Sequence, residues 1–232
     1  MSTFQPVTRN RVADQVAGAI RGAILAGEYP PGQRLPAERD LAQQFDVNRS
    51  SVREALHRLE AWGLVDVRHG GGATVSDFLA ASGLHVLPWL LAPNGAPDPK
   101  LLRDLLSLRV ALLEFTAQQA ATRATPADLA SLDAAVVELR AADGPSTVQE
   151  ADFTFFEALI AASGNLVLQL MSTAIGAAYQ ENREMFVALY PAGPANTALH
   201  EATVAAIRQS DPQAAGAAMR RYGQAALEVF DR

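Results

Sequence analysis

Two arginines one helical turn apart, Arg49 and Arg53, form a pair suited to reading a duplex. A guanidinium presents its donors as a fork that matches guanine O6 and N7. Ser50 and Ser51 lie beside the pair and can bond a base edge or a phosphate, and Asn48 precedes them as a good helix N-cap. A helix N-terminus itself favours phosphate, so these residues make one candidate DNA-reading group. Arg39, just upstream, is placed to touch the phosphate backbone. His69 and Gly70, at the start of a glycine run, form a narrow tip able to enter a minor groove. The chain is poorly supplied for catalysis. It has no Cys, no Gly-rich phosphate loop and four His scattered along its length, so no enzyme activity is expected.

The elements around these residues have a definite order. Val12, Val16, Ile20 and Ile24 repeat every four residues and predict a helix over 9–26, stopped by Gly27. A second helix is predicted from about Pro36 to Phe45, with a short turn at Asp46-Val47. The third runs from Arg49 to Trp62 with an apolar stripe of Val52, Ala55, Leu56 and Leu59, offset from the Arg49/Arg53 stripe. Leu64–Arg68 and Ala73–Val75 predict two short strands around the glycine run. Helix, short turn, helix and a two-stranded ribbon is the winged helix-turn-helix order. After Val75 strand signals nearly vanish. A short apolar helix is expected over Ser82–Leu91. Longer helices follow at about 101–123, 126–142, 148–163, 166–187, 196–209 and 212–230, separated by Pro and Gly breaks. The expected fold is mostly α: a winged helix-turn-helix over 1–76 and an all-helical bundle of about seven helices over 77–232.

Composition limits the alternatives. The 232 residues are 49% hydrophobic, which argues against disorder. No apolar run is long enough for a membrane span and no signal peptide is visible at the start, so a cytoplasmic protein without a membrane partner is expected. The net charge of −6 is uneven. Residues 1–76 hold nine Arg against eight acids, whereas 77–232 hold ten basic against seventeen acidic residues. An acidic body with a less acidic head suits phosphate binding through one end.

The run Pro31-Gly32-Gln33-Arg34-Leu35-Pro36-Ala37-Glu38-Arg39-Asp40-Leu41-Ala42, then Val47-Asn48-Arg49-Ser50-Ser51-Val52-Arg53-Glu54-Ala55-Leu56, Leu59 and Gly63-Leu64-Val65, resembles the head of the GntR family of regulators. That resemblance implies that Arg39, Arg49, Arg53, His69 and Gly70 occupy DNA-contacting positions. It also implies a homodimer on a palindromic double-stranded operator. The remainder resembles the family's FadR branch, most clearly in Asp152-Phe153-Thr154-Phe155-Phe156, Ala162-Ser163-Gly164-Asn165 and the stretch from His200 to Ala215. Many members of that branch hold a metal with one Asp and three His. Here Asp152 and His200 match two positions, but Phe156 and Tyr222 stand at the others, so no metal and no other cofactor is expected. Read by itself, His200 is an interior histidine paired with Asp152. The resemblance further implies a small-molecule effector with Arg109, Tyr179, His200, Tyr222 and Gly223 around it. Arg suits a carboxylate or phosphate, and Tyr offers an apolar ring with a polar tip. Leu105, Leu159 and Leu170 are expected to supply a lipophilic lining. The effector expected is a long-chain acyl-CoA, or alternatively a small organic or sugar acid, and the regulator is expected to repress. A DNA binder without an effector is the remaining alternative.

Overall fold

The computed structural model describes residues 10–68, 72–92, 97–187 and 194–231, and these are mostly helical. The chain divides into two compact units, Met1–Ala96 and Pro97–Arg232.

The first unit begins with α1 (Asn10–Leu25), α2 (Glu38–Gln44) and α3 (Arg49–Ala61), followed by β1 (Val65–Arg68) and β2 (Gly72–Val75). The four-residue repeat of α1 buries Val16, Ile20 and Ile24 against Leu41, Val52, Leu56, Leu59, Leu64 and Val75. Val12, on the same stripe, is instead 41% exposed. Helix α2 begins at Glu38, later than the sequence predicts, because the ribbon takes the preceding residues. Leu35 N donates to Ala73 O at 2.9 Å and Val75 N to Gln33 O at 2.9 Å, and Ala37 is still extended. The strands are antiparallel, with Val65 opposite Val75 and Arg68 opposite Gly72. The helix expected over Ser82–Leu91 is not continuous. It is replaced by α4 (Phe78–Ala81), a 3-10 turn over Gly83–Val86 and α5 (Leu87–Leu91). Gly83 has φ +63°, which no helix continues through, and Pro88 has no N–H for the preceding turn. These pieces pack within the first unit. Val86 joins its core, and Trp89 lies 4.8 Å from Trp62 between ring centroids, with the Arg21 guanidinium 4.4 Å from the Trp89 centroid. The compact units thus divide some twenty residues beyond the limit expected at 76/77.

Seven helices are described in the second unit: α6 (Pro99–Arg123), α7 (Pro126–Ala141), α8 (Pro145–Ala162), α9 (Leu166–Glu181), α10 (Arg183–Phe186), α11 (Pro194–Arg208) and α12 (Pro212–Phe230). Their starts follow from local chemistry. Asp98, Thr125, Asn165 and Asp211 cap α6, α7, α9 and α12, and Thr125 with Asp128 completes a reciprocal capping box. The helix expected over 166–187 breaks at Asn182, where φ is −117° and ψ is 21°. Buried Gln149 donates from Nε2 to Arg183 O at 2.9 Å just after the break, an anchor from α8. Helix α12 packs along α6 and α11, and α7 packs on α8 and α11. The core gathers Leu113, Leu132, Phe155, Leu159, Val204, Ile207 and Met219. Among the described residues no helix is long and apolar enough to cross a membrane.

Candidate nucleic-acid interface and ligand cavity

The start of α3 is organised by Asn48. Its Oδ1 accepts from Ser51 N at 2.8 Å and from Ser50 Oγ at 2.5 Å, so two of the residues expected to read DNA also fix the first turn. The stripe of Val52, Ala55, Leu56 and Leu59 is buried, while Arg49 and Arg53 stand on the exposed side. Arg49 forms no ion pair among the described residues. Arg53 is held by Glu38 of α2, with Nε donating to Oε1 at 3.3 Å and Nη2 to Oε2 at 2.9 Å. The Arg53 hydrogen bonds pull the Glu38 carboxyl below its ordinary range. Arg39 is exposed and its Nε lies 3.2 Å from Asp40 Oδ1. His69 and Gly70 lie outside the described residues. Glu38 was not anticipated; its place in the first turn of α2 signals a dipole-favouring acid, but not a partner fifteen positions away.

Four helices bring a second cluster together in the second unit. Asp152 on α8 is 1% exposed. Its Oδ1 accepts from Tyr222 Oη of α12 at 2.5 Å and lies 3.0 Å from His200 Nε2 of α11. A carboxylate only accepts, so Nε2 carries the hydrogen in this bond. Oδ2 accepts from Arg109 Nη2 of α6 at 3.3 Å. The Arg109 guanidinium lies 4.7 Å from the Phe156 centroid and 5.2 Å from that of Tyr222, within cation–π range. The His200 ring meets Phe155 and Tyr222 edge-on, each at 4.5 Å. Burial, and then the Asp152 charge, pushes the Tyr222 hydroxyl well above its ordinary value of 10.0, so it stays a donor.

Beside this cluster α6, α8 and α9 enclose a cavity of about 180 Å³. Leu105, Leu112, Phe153, Ile160, Met171 and Ile175 supply much of its wall, and Ala226 of α12 closes part of it. Thr116, Ser172 and Tyr179 add hydroxyls, and Arg109 and Asp152 are its charged residues. Of the expected ligand set, Arg109 and Tyr179 line the cavity. The rings of Tyr179 and Phe153 stack at 5.4 Å. His200 and Tyr222 stand behind Asp152, outside the lining. Gly223 is also outside; a Cβ there would meet Val110 Cγ2 at 3.0 Å and Val110 Cα at 3.1 Å, so its lack of a side chain lets α12 approach α6 closely. Leu105 and Leu159 line the cavity as expected, but Leu170 does not, being 65% exposed on α9.

The donor set does not suit a metal. The Phe156 ring has no ligating atom, Tyr222 keeps its proton and donates a hydrogen bond to Asp152, and a guanidinium already pairs with that carboxylate.

Residues 12–75 match the family of bacterial regulatory proteins, gntR family, and residues 104–225 match the FCD domain. The uncharacterized HTH-type transcriptional regulator Rv0494 of Mycobacterium tuberculosis (strain ATCC 25618 / H37Rv) is 38% identical, covering 95% of this chain and 90% of its own. The HTH-type transcriptional regulator Mce2R of Mycobacterium tuberculosis (strain CDC 1551 / Oshkosh) is 40% identical over 76% of this chain and 74% of its own. The solved structure of Lar, which controls expression of the Listeria monocytogenes agr system, covers 100% of this chain and 99% of its own at 18% identity with a TM-score of 0.56, a likeness of fold. Further relatives diverge in what their names say they regulate. They include a putative L-lactate dehydrogenase operon regulatory protein (33% identical) and a galactonate operon transcriptional repressor (32%), both of Escherichia coli (strain K12). Beside them stands a fatty acid metabolism regulator protein of Escherichia fergusonii (29%). The similarity therefore reaches the family and its FCD domain and does not single out the FadR branch. The chain belongs to the GntR family of bacterial regulatory proteins and is a DNA-binding transcription regulator with a C-terminal FCD effector-binding domain.

Proposed function

We propose that this regulator represses transcription as a homodimer on a palindromic operator until a lipophilic effector, a long-chain acyl-CoA, enters the FCD cavity. The observation that carries the effector class is the wall of Leu, Ile, Phe and Met side chains with polar groups at few points. Such a wall favours burial of an acyl chain and gives a hydrophilic acid little to replace its water shell. At about 180 Å³ the cavity takes only part of an acyl chain and leaves the nucleotide of a coenzyme A outside. At the head, Arg49 and Arg53 take guanine edges, Ser50 and Ser51 take base edges or phosphate from the turn that Asn48 caps, and Arg39 takes backbone phosphate. We assign minor-groove contact to His69 and Gly70. One recognition helix reads few base pairs, so two half-sites related by two-fold symmetry supply the affinity.

A second reading keeps the head and takes a small organic or sugar acid as effector. The relatives named for lactate and galactonate operons favour it, as does a cation, Arg109, on the cavity wall. The experiment that separates the two is operator release, followed by fluorescence anisotropy on a duplex selected by the protein from random DNA. Acyl-CoAs of rising chain length are titrated beside lactate and galactonate. The acyl reading expects release that strengthens with chain length and none with the hydroxy acids. A 100-fold weakening of operator binding corresponds to about 2.7 kcal/mol of coupling, an ordinary allosteric magnitude. Release by the acids alone establishes the second reading.

A further inference from the structure

The cavity's two charged residues, Arg109 and Asp152, are already paired with each other, Nη2 to Oδ2 at 3.3 Å. The pair is sheltered: Asp152 is 1% exposed, and the Arg109 side chain is 23% exposed with its guanidinium against Phe156 and Tyr222. Tyr222 and His200 donate to the other carboxylate oxygen, so Asp152 accepts from three partners. The cation that a carboxylic acid effector would seek is thus already neutralised by the protein's own carboxylate.

From this geometry we infer that the cavity selects effectors whose buried polar end is an uncharged hydrogen-bond acceptor, such as an ester, thioester or ketone carbonyl, and discriminates against the free carboxylate of the same chain. The inference rests on the reading that the cavity holds a lipophilic effector. An entering carboxylate would bring a second negative charge beside Asp152 and compete with it for one guanidinium. Two carboxylates sharing one cation in a poorly solvated site repel, and whichever loses the cation is left buried and unpaired. A neutral carbonyl makes no such demand. A guanidinium carries five N–H donors in a planar fork, so a carbonyl can accept from Arg109 while Asp152 keeps its own bond. Thr116 Oγ1 and Ser172 Oγ on the wall already donate to Leu112 O and Gln169 O of their own helices, so the carbonyl's donor is the Arg109 fork. The cluster therefore acts as a charge filter: Arg109 is a specificity residue through the partner that neutralises it.

The test is equilibrium dialysis of the full-length protein against radiolabelled dodecanoate and methyl dodecanoate near neutral pH, with the same chain and only the end group changed. The ester is expected to bind at least about tenfold more tightly than the acid, the scale expected when a buried charge lacks its partner. In Asp152→Asn the guanidinium loses its anionic partner, and the preference is expected to invert toward dodecanoate. An acid that binds the wild type as tightly as the ester overturns the inference and leaves the lipophilic cavity standing. Binding of neither probe overturns the lipophilic reading and the inference with it. If Asp152→Asn does not fold, the wild-type ratio decides alone.

Discussion

Glu38 and Arg53 sit fifteen positions apart in the chain, yet two hydrogen bonds hold the arginine fork on the exposed side of α3. A solvent-exposed pair of this kind contributes little to stability, so Glu38→Gln should change unfolding free energy by no more than about 0.5 kcal/mol in a denaturant titration. Its effect belongs to recognition. Freed from Glu38, Arg53 samples more orientations, and one negative charge near the phosphates is gone. The expected outcome is tighter binding to scrambled DNA with a smaller ratio of cognate to scrambled affinity, read by anisotropy on both duplexes. Equal shifts on both would remove Glu38 from the positioning of Arg53. Arg49→Ala should weaken cognate binding by about 1–3 kcal/mol and relax base preference at one position, which a selection from random DNA would display. In the FCD domain Tyr222→Phe removes a donor from buried Asp152 and should cost about 1–3 kcal/mol of stability near neutral pH. The Tyr222 hydroxyl is raised by folding, so its contribution is present below the ordinary value of 10.0 and is lost as pH rises above it, where the unfolded chain ionises first. The stability gap between wild type and Tyr222→Phe should therefore narrow as denaturant titrations move above about pH 10. A gap that widens there would contradict the protonated, donating tyrosine.

The helix α3 depends on its first turn, and Asn48→Ala tests this at the scale of the element. Losing the acceptor for Ser51 N and Ser50 Oγ should cost about 1 kcal/mol of stability and should weaken operator binding beyond that of a surface substitution, because the fraying turn carries Arg49. Unchanged binding would place the DNA contacts elsewhere on the helix. These head elements were legible because each carries a local signal: the stripe of α1, the cap at Asn48, and the offset between Val52, Ala55, Leu56, Leu59 and the two arginines. Proline and glycine breaks likewise marked most of the FCD helices. What sequence did not show was set by contacts between distant segments. Pairing of residues 33–35 with β2 delayed α2, Gly83 and Pro88 divided an apolar stretch that looked continuous, and α9 gave way to α10 at Asn182 beside the Gln149 anchor. The site shows the same limit. The Asp152–His200 pairing was readable from their residue types, but the Arg109–Asp152 ion pair and the withdrawal of Tyr222 behind the cavity wall depend on how α6, α8 and α12 pack.

At the scale of the whole molecule the charge is divided, with residues 1–76 slightly basic and the rest strongly acidic. Phosphate binding should then be confined to the head, and operator affinity should fall steeply with salt in proportion to the phosphates neutralised. Sedimentation should show a dimer on a two-half-site duplex; a monomer both free and bound would refute the symmetric assembly. Occupancy of the α6–α8–α9 cavity should control the operator. Gly176 on α9 lines that cavity, and a Cβ there would make only an ordinary contact, 3.8 Å to Phe153 Cζ, so Gly176→Leu should fill the space without disrupting the helix. The direct measurement is operator anisotropy for wild type and Gly176→Leu, each titrated with dodecanoyl-CoA. Cognate affinities should lie within about twofold of each other before ligand. The ligand should then release the wild type and not the filled variant. Release of Gly176→Leu at the wild-type concentration would place the effector outside this cavity and contradict the account.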